Sequence, residues 1–535
     1  MRITTTQIQK HSKNQRKKYR TEDEILPLGA SLLAALISGA LFLFALAPYH
    51  IWGVALLSPL VLYALLLPAI SGRRAFMLGW IYGFGLWATG AFWLYTSIHE
   101  YGAVPAWLAF IMIGMMAAVM GLFHAVMAWL FVRFLGKQPL AFASLWVLQE
   151  WLKTWLFTGF PWLFVGYAFT DVAWLSALAP VVGVLGLGFV VVLTGAALID
   201  ALRGKFGYLI ISGFMLATSI LLWLTNPNWT SPTGEKLSVS LVQGNIPQDL
   251  KWLTEYRLQT LDIYTSLSQN EWGRDVVIWP EAAIPILSDD AVFFVMDVAQ
   301  LAKQNGSAWI TGIPYRDLQN YDPSTQPYPP LYNAVLAMGD NAEGLYKKQR
   351  LVPFGEYIPF QGLLDILPNL ANGDDVYNHS KGTNDQTPLR IKGKDMGSAI
   401  CYEVAYPDTT RRNAKNTEFL LTISNDAWFG TSAGPLQHLQ MVQMRSLETG
   451  KWFVRATNTG VTALIDDKGR IVKQAPQFER TVLRGDVPMM VGQTPYVRFG
   501  DYPLLMITAL LLLLSIWGAR QTSLYDSERT HGVRH

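Results

Sequence analysis

The hydrophobic and polar positions divide the chain into an apolar half, a mixed half and a last apolar run. Residues 1–24 are polar and basic, with Lys10, Lys13, Arg16, Lys17, Lys18 and Arg20 and no apolar face, which predicts a disordered tail. From Pro27 the character changes. Runs at about 28–47, 51–70, 75–97, 104–132, 139–157, 174–200 and 207–224 are each long enough, at about 1.5 Å per residue, to cross a hydrocarbon core of about 30 Å. An eighth run lies at about 502–519. Glu150 and Lys153 interrupt the run at 139–157; three apart on one helical face, they suit pairing inside a bundle, with a re-entrant segment as the alternative. The first run ends in Ala45-Leu46-Ala47, a cleavage-like pattern. The long tail before it, with Glu22, Asp23 and Glu24, and Pro48 directly after it favour a retained span.

Between about 225 and 500 the pattern is that of a soluble domain, with charges, turns and short apolar runs. Strand candidates are 237–242, 276–279, 308–311, 332–338, 396–400, 418–424, 452–457 and 461–465, and amphipathic helical stretches fall near 254–270, 290–305 and 434–450. Alternating strands and helices predict an α/β domain. Asp466-Asp467-Lys468-Gly469 reads as a hairpin turn.

Composition agrees with a membrane protein: 51% hydrophobic and 13% aromatic residues against 15% charged. A net charge of +3 gives no ground for nucleic acid as a partner. Basic residues set the topology instead. Arg73 with Arg74, Arg133 with Lys137, Arg203 with Lys205, and Arg520 all fall on the side of the basic N-terminus, so every second loop is positive and is read as cytoplasmic. The expected organisation is a cytoplasmic tail at 1–24, seven membrane helices in 25–225, a periplasmic α/β domain at 226–498, a last membrane helix at 499–520 and a tail at 521–535, in the inner membrane of a diderm bacterium. Trp80, Trp87, Trp93, Trp146, Trp151 and Trp155 are expected mostly as interfacial anchors. The histidines are scattered without ligand spacing, so no metal site is inferred.

The chain contains one cysteine, Cys401, which therefore has no disulfide partner within the chain. A lone buried thiol is usually an inert small hydrophobe. Here it follows the run GSAI at 397–400, at a predicted strand-to-helix turn of the kind that presents a side chain to a cleft. Two further polar residues follow or lie just beyond apolar runs: Glu281 after VVIWP at 276–280, and Lys348 within YKKQRLVPFGE at 346–356. Taken singly, Glu281 suits a helix entry and Lys348 a solvated surface. Together in one cleft, a carboxylate removes the thiol proton, the thiolate attacks an acyl carbon and the ammonium stabilises the developing oxyanion.

The ordered set WPE, YKKQRLVPFGE and ICYE resembles the nitrilase (carbon–nitrogen hydrolase) superfamily and, with spans on both sides, its membrane-embedded branch, the apolipoprotein N-acyltransferase family. The resemblance implies an αββα sandwich on a membrane bundle of about eight helices. It implies Glu281 as general base, Lys348 rather than Lys347 as the oxyanion-stabilising ammonium, by the pattern Y-x-K-x-x-L, and Cys401 as nucleophile. Glu356 would orient the lysine, Tyr402 and Glu403 would lie near the site, and Trp252 would handle the acyl donor. Implied substrates are a phospholipid giving its sn-1 acyl chain, with phosphatidylethanolamine as the donor, and diacylated apolipoproteins accepting it on the N-terminal amine; no cofactor is implied, because the ester and then a thioester supply the activated acyl group. A membrane-tethered amidase or nitrilase would use the same three residues, and a non-catalytic lipoprotein-binding transporter or scaffold would need none. The apolar stretches 353–370, with Leu363 and Leu364, and 427–430 are expected to dip into the outer leaflet as arms over the site, ordinary packing on the sandwich being the alternative.

Overall fold

A computed structural model describes residues 26–326, 328–357 and 379–531. The expected tail at 1–24, and Leu363 and Leu364 with most of the anticipated arm, lie outside the described residues. Among the described residues, five helices are long and apolar enough to cross a membrane: Leu28–Ala45, Ala106–Phe134, Ala179–Leu202, Gly207–Thr225 and Tyr502–Gln521. Helices also form where the other three runs were expected, at Gly53–Leu66, Gly72–Gly90 and Pro139–Leu152. Gly53–Leu66 and Pro139–Leu152 have 14 residues each, about 21 Å of helix.

The helices have two distinct ends. Arg74 Nη2 donates to Leu26 O at 2.5 Å, and Lys137 Nζ to Leu67 O at 3.0 Å, so basic loops gather at one end. At the other end Ala47 N donates to Gln440 Oε1, and the tyrosine hydroxyls of residues 402 and 406 donate to Gly159 O.

The described residues after the helix Gly207–Thr225 form twelve strands in one continuous order. β1 (Thr230–Gln243), β2 (Val276–Ile278) and β3 (Ala308–Arg316) run parallel; β4 (Leu331–Gly339) and β5 (Ala342–Lys347) follow antiparallel. β6 (Leu389–Ile391) pairs with β5 and with β7 (Lys394–Ile400), and β8 (Phe419–Ser424) and β9 (Phe453–Thr457) extend β7 in parallel. β10 (Ala463–Ile465) and β11 (Ile471–Gln474) close that edge as the expected hairpin, and β12 (Thr481–Gly492) returns to pair with β1. The order folds over at β5–β6, so the two halves face each other. Val239, Ile278 and Ile310 of one half meet Ile400, Leu421 and Val454 of the other in a dry inter-sheet core. Apolar burial of this extent, at about 25 cal/mol per Å², is what holds the halves together.

Helices Arg257–Ser268 and Val292–Gln304 cover one outer face through Leu261, Tyr264, Val295 and Val298. The helix Gly434–Thr449 covers the other, and its core is continuous with that of the membrane bundle. That helix is therefore buried on every side, polar residues included.

β5, β6 and β12 have no counterpart among the expected strands. β6 has three residues, β5 is largely polar, and β12 carries Pro488 and charged outward positions typical of an edge. The anchor reading also needs correction: Trp87, Trp93 and Trp146 are buried in the bundle, whereas Trp80 and Trp155 are exposed. Trp146 Nε1 donates to Glu150 Oε1 at 2.9 Å, which explains a tryptophan inside. Glu150 and Lys153 are both buried inside the bundle but not as the direct pair expected: Glu150 Oε1 accepts from Trp146 Nε1 and Val165 N, and Lys153 Nζ lies over the rings of Trp87 and Phe164.

Candidate active site

Parallel strands β2 and β7 end on the same side of the sandwich, which brings residues 281 and 401 together although they are far apart in sequence. Cys401 directly follows β7 with φ of 50°, a left-handed conformation that L-residues rarely adopt. Glu281 sits in the turn after β2. β3 offers Gly312 beneath it, where an added Cβ would meet the backbone of Pro280, Glu281 and Ala282 within 2.6–2.7 Å. Lys348 follows β5, its amide donating to Asn333 O at 2.9 Å.

Lys348 is 1% exposed. Its Nζ donates to Glu356 Oε1 at 2.8 Å and to Glu281 Oε1 at 3.3 Å. Asn333 Nδ2 bridges the same two carboxylate oxygens at 2.8 Å each, Asn425 N donates to Glu281 Oε2 at 2.8 Å, and Val352 N to Glu356 Oε2 at 2.8 Å. Burial alone would lower the Lys348 ammonium, but Glu356, Glu281 and Cys401 together hold it above its ordinary value. Burial likewise opposes the Glu356 carboxylate, and Lys348, Asn333 and the Val352 amide together outweigh it, keeping Glu356 below the usual range. Burial pushes the Cys401 thiol up, Glu281 adds to that, and Lys348 pulls the other way. The resting sulfur is thus a thiol with a carboxylate and an ammonium in electrostatic reach.

The remaining expected residues take different places. Glu403 is fully buried behind the Cys401 turn, accepting from Ile400 N at 2.7 Å, Gln349 N at 2.5 Å, Arg350 N at 3.0 Å and Tyr346 OH at 2.9 Å. Burial raises it to about 7 against those donors. Tyr402 points into the bundle, stacked on Trp162 with its hydroxyl on Gly159 O. Trp252 is 46% exposed, and the neighbouring Lys251 is buried with its Nζ on Glu281 O at 3.0 Å. Burial depresses Lys251 to about 8, with Glu281 and Cys401 opposing. Asn333 and Lys251 were not anticipated. Asn333 is a polar residue within a strand-like run, and that was the signal available for it.

Such a cluster suits covalent acyl transfer: a thiol at a strained turn, with a carboxylate and a buried ammonium in electrostatic reach. The profile of the apolipoprotein N-acyltransferase N-terminal domain matches residues 38–197, and the carbon-nitrogen hydrolase profile matches 238–496. The apolipoprotein N-acyltransferase of Pseudomonas syringae pv. tomato is 42% identical over 500 residues, covering 91% of this chain and 97% of its own length. That of Vibrio parahaemolyticus is 38% identical over 504 residues, covering 91% and 97%. Among solved structures, a Saccharomyces cerevisiae protein of branch 10 of the nitrilase superfamily matches with 18% identity and a TM-score of 0.35, over 48% of this chain and 90% of that one. With relatives this similar along nearly its whole length, the chain belongs to the apolipoprotein N-acyltransferase family.

Proposed function

We propose that the chain N-acylates apolipoproteins by a two-step exchange at Cys401. Glu281 takes the thiol proton, and the thiolate attacks the ester carbonyl carbon of the sn-1 chain of a phospholipid. The C–O bond breaks, the lysophospholipid oxygen takes the proton from Glu281, and a thioester remains. The free amine of a diacylglyceryl-cysteine then attacks the thioester carbon and gives a proton to Glu281, which returns it to the departing sulfur. Lys348 has three N–H bonds, two of them engaged by Glu281 and Glu356, so the third is available to an oxyanion. Glu356 and Asn333 hold the pair in place. Phosphatidylethanolamine is the proposed donor.

The observation that carries this reading is the buried Glu281–Lys348–Glu356 cluster within electrostatic reach of Cys401. The setting agrees with a lipid substrate, because each acyl methylene drawn from lipid into water costs about 0.8 kcal/mol, so the site belongs at a bilayer surface. Phe354 is 75% exposed, Trp252 46% and Trp428 42%, a set of bare aromatics on the segments around the site. They support a role for 353–357 and 427–430 in meeting the leaflet.

We read the helices as eight crossings, with the domain at 226–498 outside the cytoplasm, a helix at 499–520 returning, and tails at 1–24 and 521–535 inside. Three helices below the length or hydropathy expected of a span still run between the two ends of the bundle. Gly53–Leu66 leads from Ala47 at the sandwich to Leu67 beside Lys137. Gly72–Gly90 leads from Arg74 beside Leu26 to Gly90, whose carbonyl faces Gln437. Pro139–Leu152 leads from Lys137 towards Gly159. Basic loops at the end opposite the sandwich agree with that orientation.

The test is intact-protein mass spectrometry after incubation with phospholipid alone. A fatty-acyl adduct that maps to Cys401 and disappears in Cys401→Ala is expected. An unmodified wild-type protein that still acylated lipoproteins would overturn the thioester route.

A further inference from the structure

Behind the nucleophile lies a second buried polar cluster that the reaction just described does not use. His438, on the helix Gly434–Thr449, is 1% exposed; Asp426 is also 1% exposed and Arg455 is fully buried. His438 Nε2 lies 3.0 Å from the carbonyl oxygen of Cys401. A carbonyl oxygen only accepts, so Nε2 carries the proton and donates it. On the other side of the ring, Nδ1 lies 3.1 Å from Asp426 Oδ1 and 3.2 Å from Arg455 Nη2. Arg455 Nη2 donates to Asp426 Oδ2 at 2.6 Å, Ser424 Oγ donates to Oδ1 at 2.6 Å, and Arg455 Nε donates to Val461 O at 3.1 Å. The ring is therefore held by groups on β9 and just after β8, the strand beside β7.

This contact falls where the backbone is strained. Cys401 has φ of 50°, and the backbone is held on both sides of that residue: Glu403 accepts the N–H of Ile400, one peptide before the flanking one, and His438 faces the carbonyl of Cys401 itself. Glu403 is in turn held by Gln349 N and Arg350 N, in the segment that follows Lys348. A left-handed residue persists only where its surroundings over-determine it, and here two side chains from opposite directions do so.

We propose that His438 is a positioning residue, whose Nε2–H, with Asp426 and its partner Arg455 packed on the Nδ1 side of the ring, holds the Cys401 carbonyl and so keeps the nucleophile turn in the conformation that aims the thiol at Glu281 and Lys348. The inference rests on Cys401 as the acyl carrier, which the adduct on the wild-type protein tests separately.

The test compares His438→Gln, His438→Asn and His438→Leu in the full-length protein in detergent. The Gln amide nitrogen reaches about as far as Nε2 and still donates, the Asn amide is too short to reach the carbonyl, and Leu has no donor. His438→Gln is expected to keep kcat within about threefold. The Asn and Leu variants lose at least about tenfold in kcat with KM for phospholipid little changed, and iodoacetamide labels Cys401 more slowly in them by a similar factor. Wild-type kcat and labelling in the Leu variant overturn the proposal. So does a Gln variant as impaired as the Asn variant, or a set of three whose activity losses only follow equal losses in melting midpoint, because His438 is then a packing residue alone. A wild-type protein that forms no Cys401 adduct defeats the thioester reading instead, whatever the variants do.

Discussion

Lys348 and Glu403 show how burial sets the chemistry of single side chains. Lys348 lies between two carboxylates and is kept charged by them, so replacing it with Met leaves Glu281 and Glu356 facing each other across Asn333 without a cation. Removing one partner from a buried ion cluster typically costs about 3–5 kcal/mol. Lys348→Met is therefore expected to lower the melting midpoint and to form no acyl adduct on incubation with phospholipid, as mass spectrometry would show. Glu403 gives a pH signature. Its folded value, about 7, lies above the ordinary 4.5, so the folded state binds more protons in that window. Its contribution to stability is greatest below about pH 4.5, falls as the pH rises, and amounts to a loss of about 3 kcal/mol above pH 7. Burial also pushes Glu448 up to about 7. The difference between wild type and Glu403→Gln, in unfolding measured at about pH 5 and pH 7.5, isolates the Glu403 share; identical pH slopes in the two proteins would refute it.

Strands and turns decide where these side chains meet. β2 and β3 pair in parallel, with Val276 opposite Ala308 and Ile278 opposite Ile310, so the turn carrying Glu281 lies against the continuation of β3 at Gly312. Only a hydrogen side chain fits there, since the neighbours are backbone atoms. Gly312→Ala must move the Glu281 turn by several tenths of an ångström or more. With Glu281 as the proposed base, its misplacement costs rate before it costs the fold, so a drop in kcat of about tenfold or more is expected with the far-ultraviolet circular dichroism unchanged. Full activity in Gly312→Ala would show that the approach of these strands does not position the base. β5 has a related role: its pairing with β4 places Lys347 opposite Ala334, which puts the following Lys348 against Asn333.

The joint between bundle and sandwich combines a shared apolar core with specific polar contacts. Trp162 Nε1 donates to Gln437 Oε1 at 2.7 Å, Val184 N to Glu448 Oε1 at 2.8 Å, and Tyr167 OH to Ala405 O at 3.3 Å. Glu448 also pairs with Arg445, and both are buried. Glu448→Ala leaves Arg445 without that carboxylate and is expected to destabilise the full-length protein by about 3–5 kcal/mol. The exposed Glu343→Ala serves as a control and is expected to change stability by less than about 0.5 kcal/mol. Equal melting midpoints for the two variants would mean that the joint tolerates a broken pair. Because the helix Gly434–Thr449 is covered by the bundle, a fragment of 226–498 alone would expose Leu439, Met441 and Leu447 or their neighbours, and is expected to aggregate in size-exclusion chromatography without detergent.

The sequence alone determined the division into membrane helices and an α/β domain, since long apolar runs and period-two strands are local patterns. It also carried the family, through three short blocks read in order. Helices near 257–268, 292–304 and 434–449 and the hairpin at 466–469 were legible for the same reason. The polar strand β5 and the edge strand β12 were not, because pairing partners rather than side-chain pattern make them strands. The burial of Trp87, Trp93 and Trp146 depends on which helices surround them. Only the tertiary structure decided what converges on residues 281, 348 and 401. Asn333, Lys251 and His438 come from separate parts of the chain and meet there because two sheets fold face to face and a helix is trapped beneath the bundle. Those contacts are non-local, so no spacing in the chain records them.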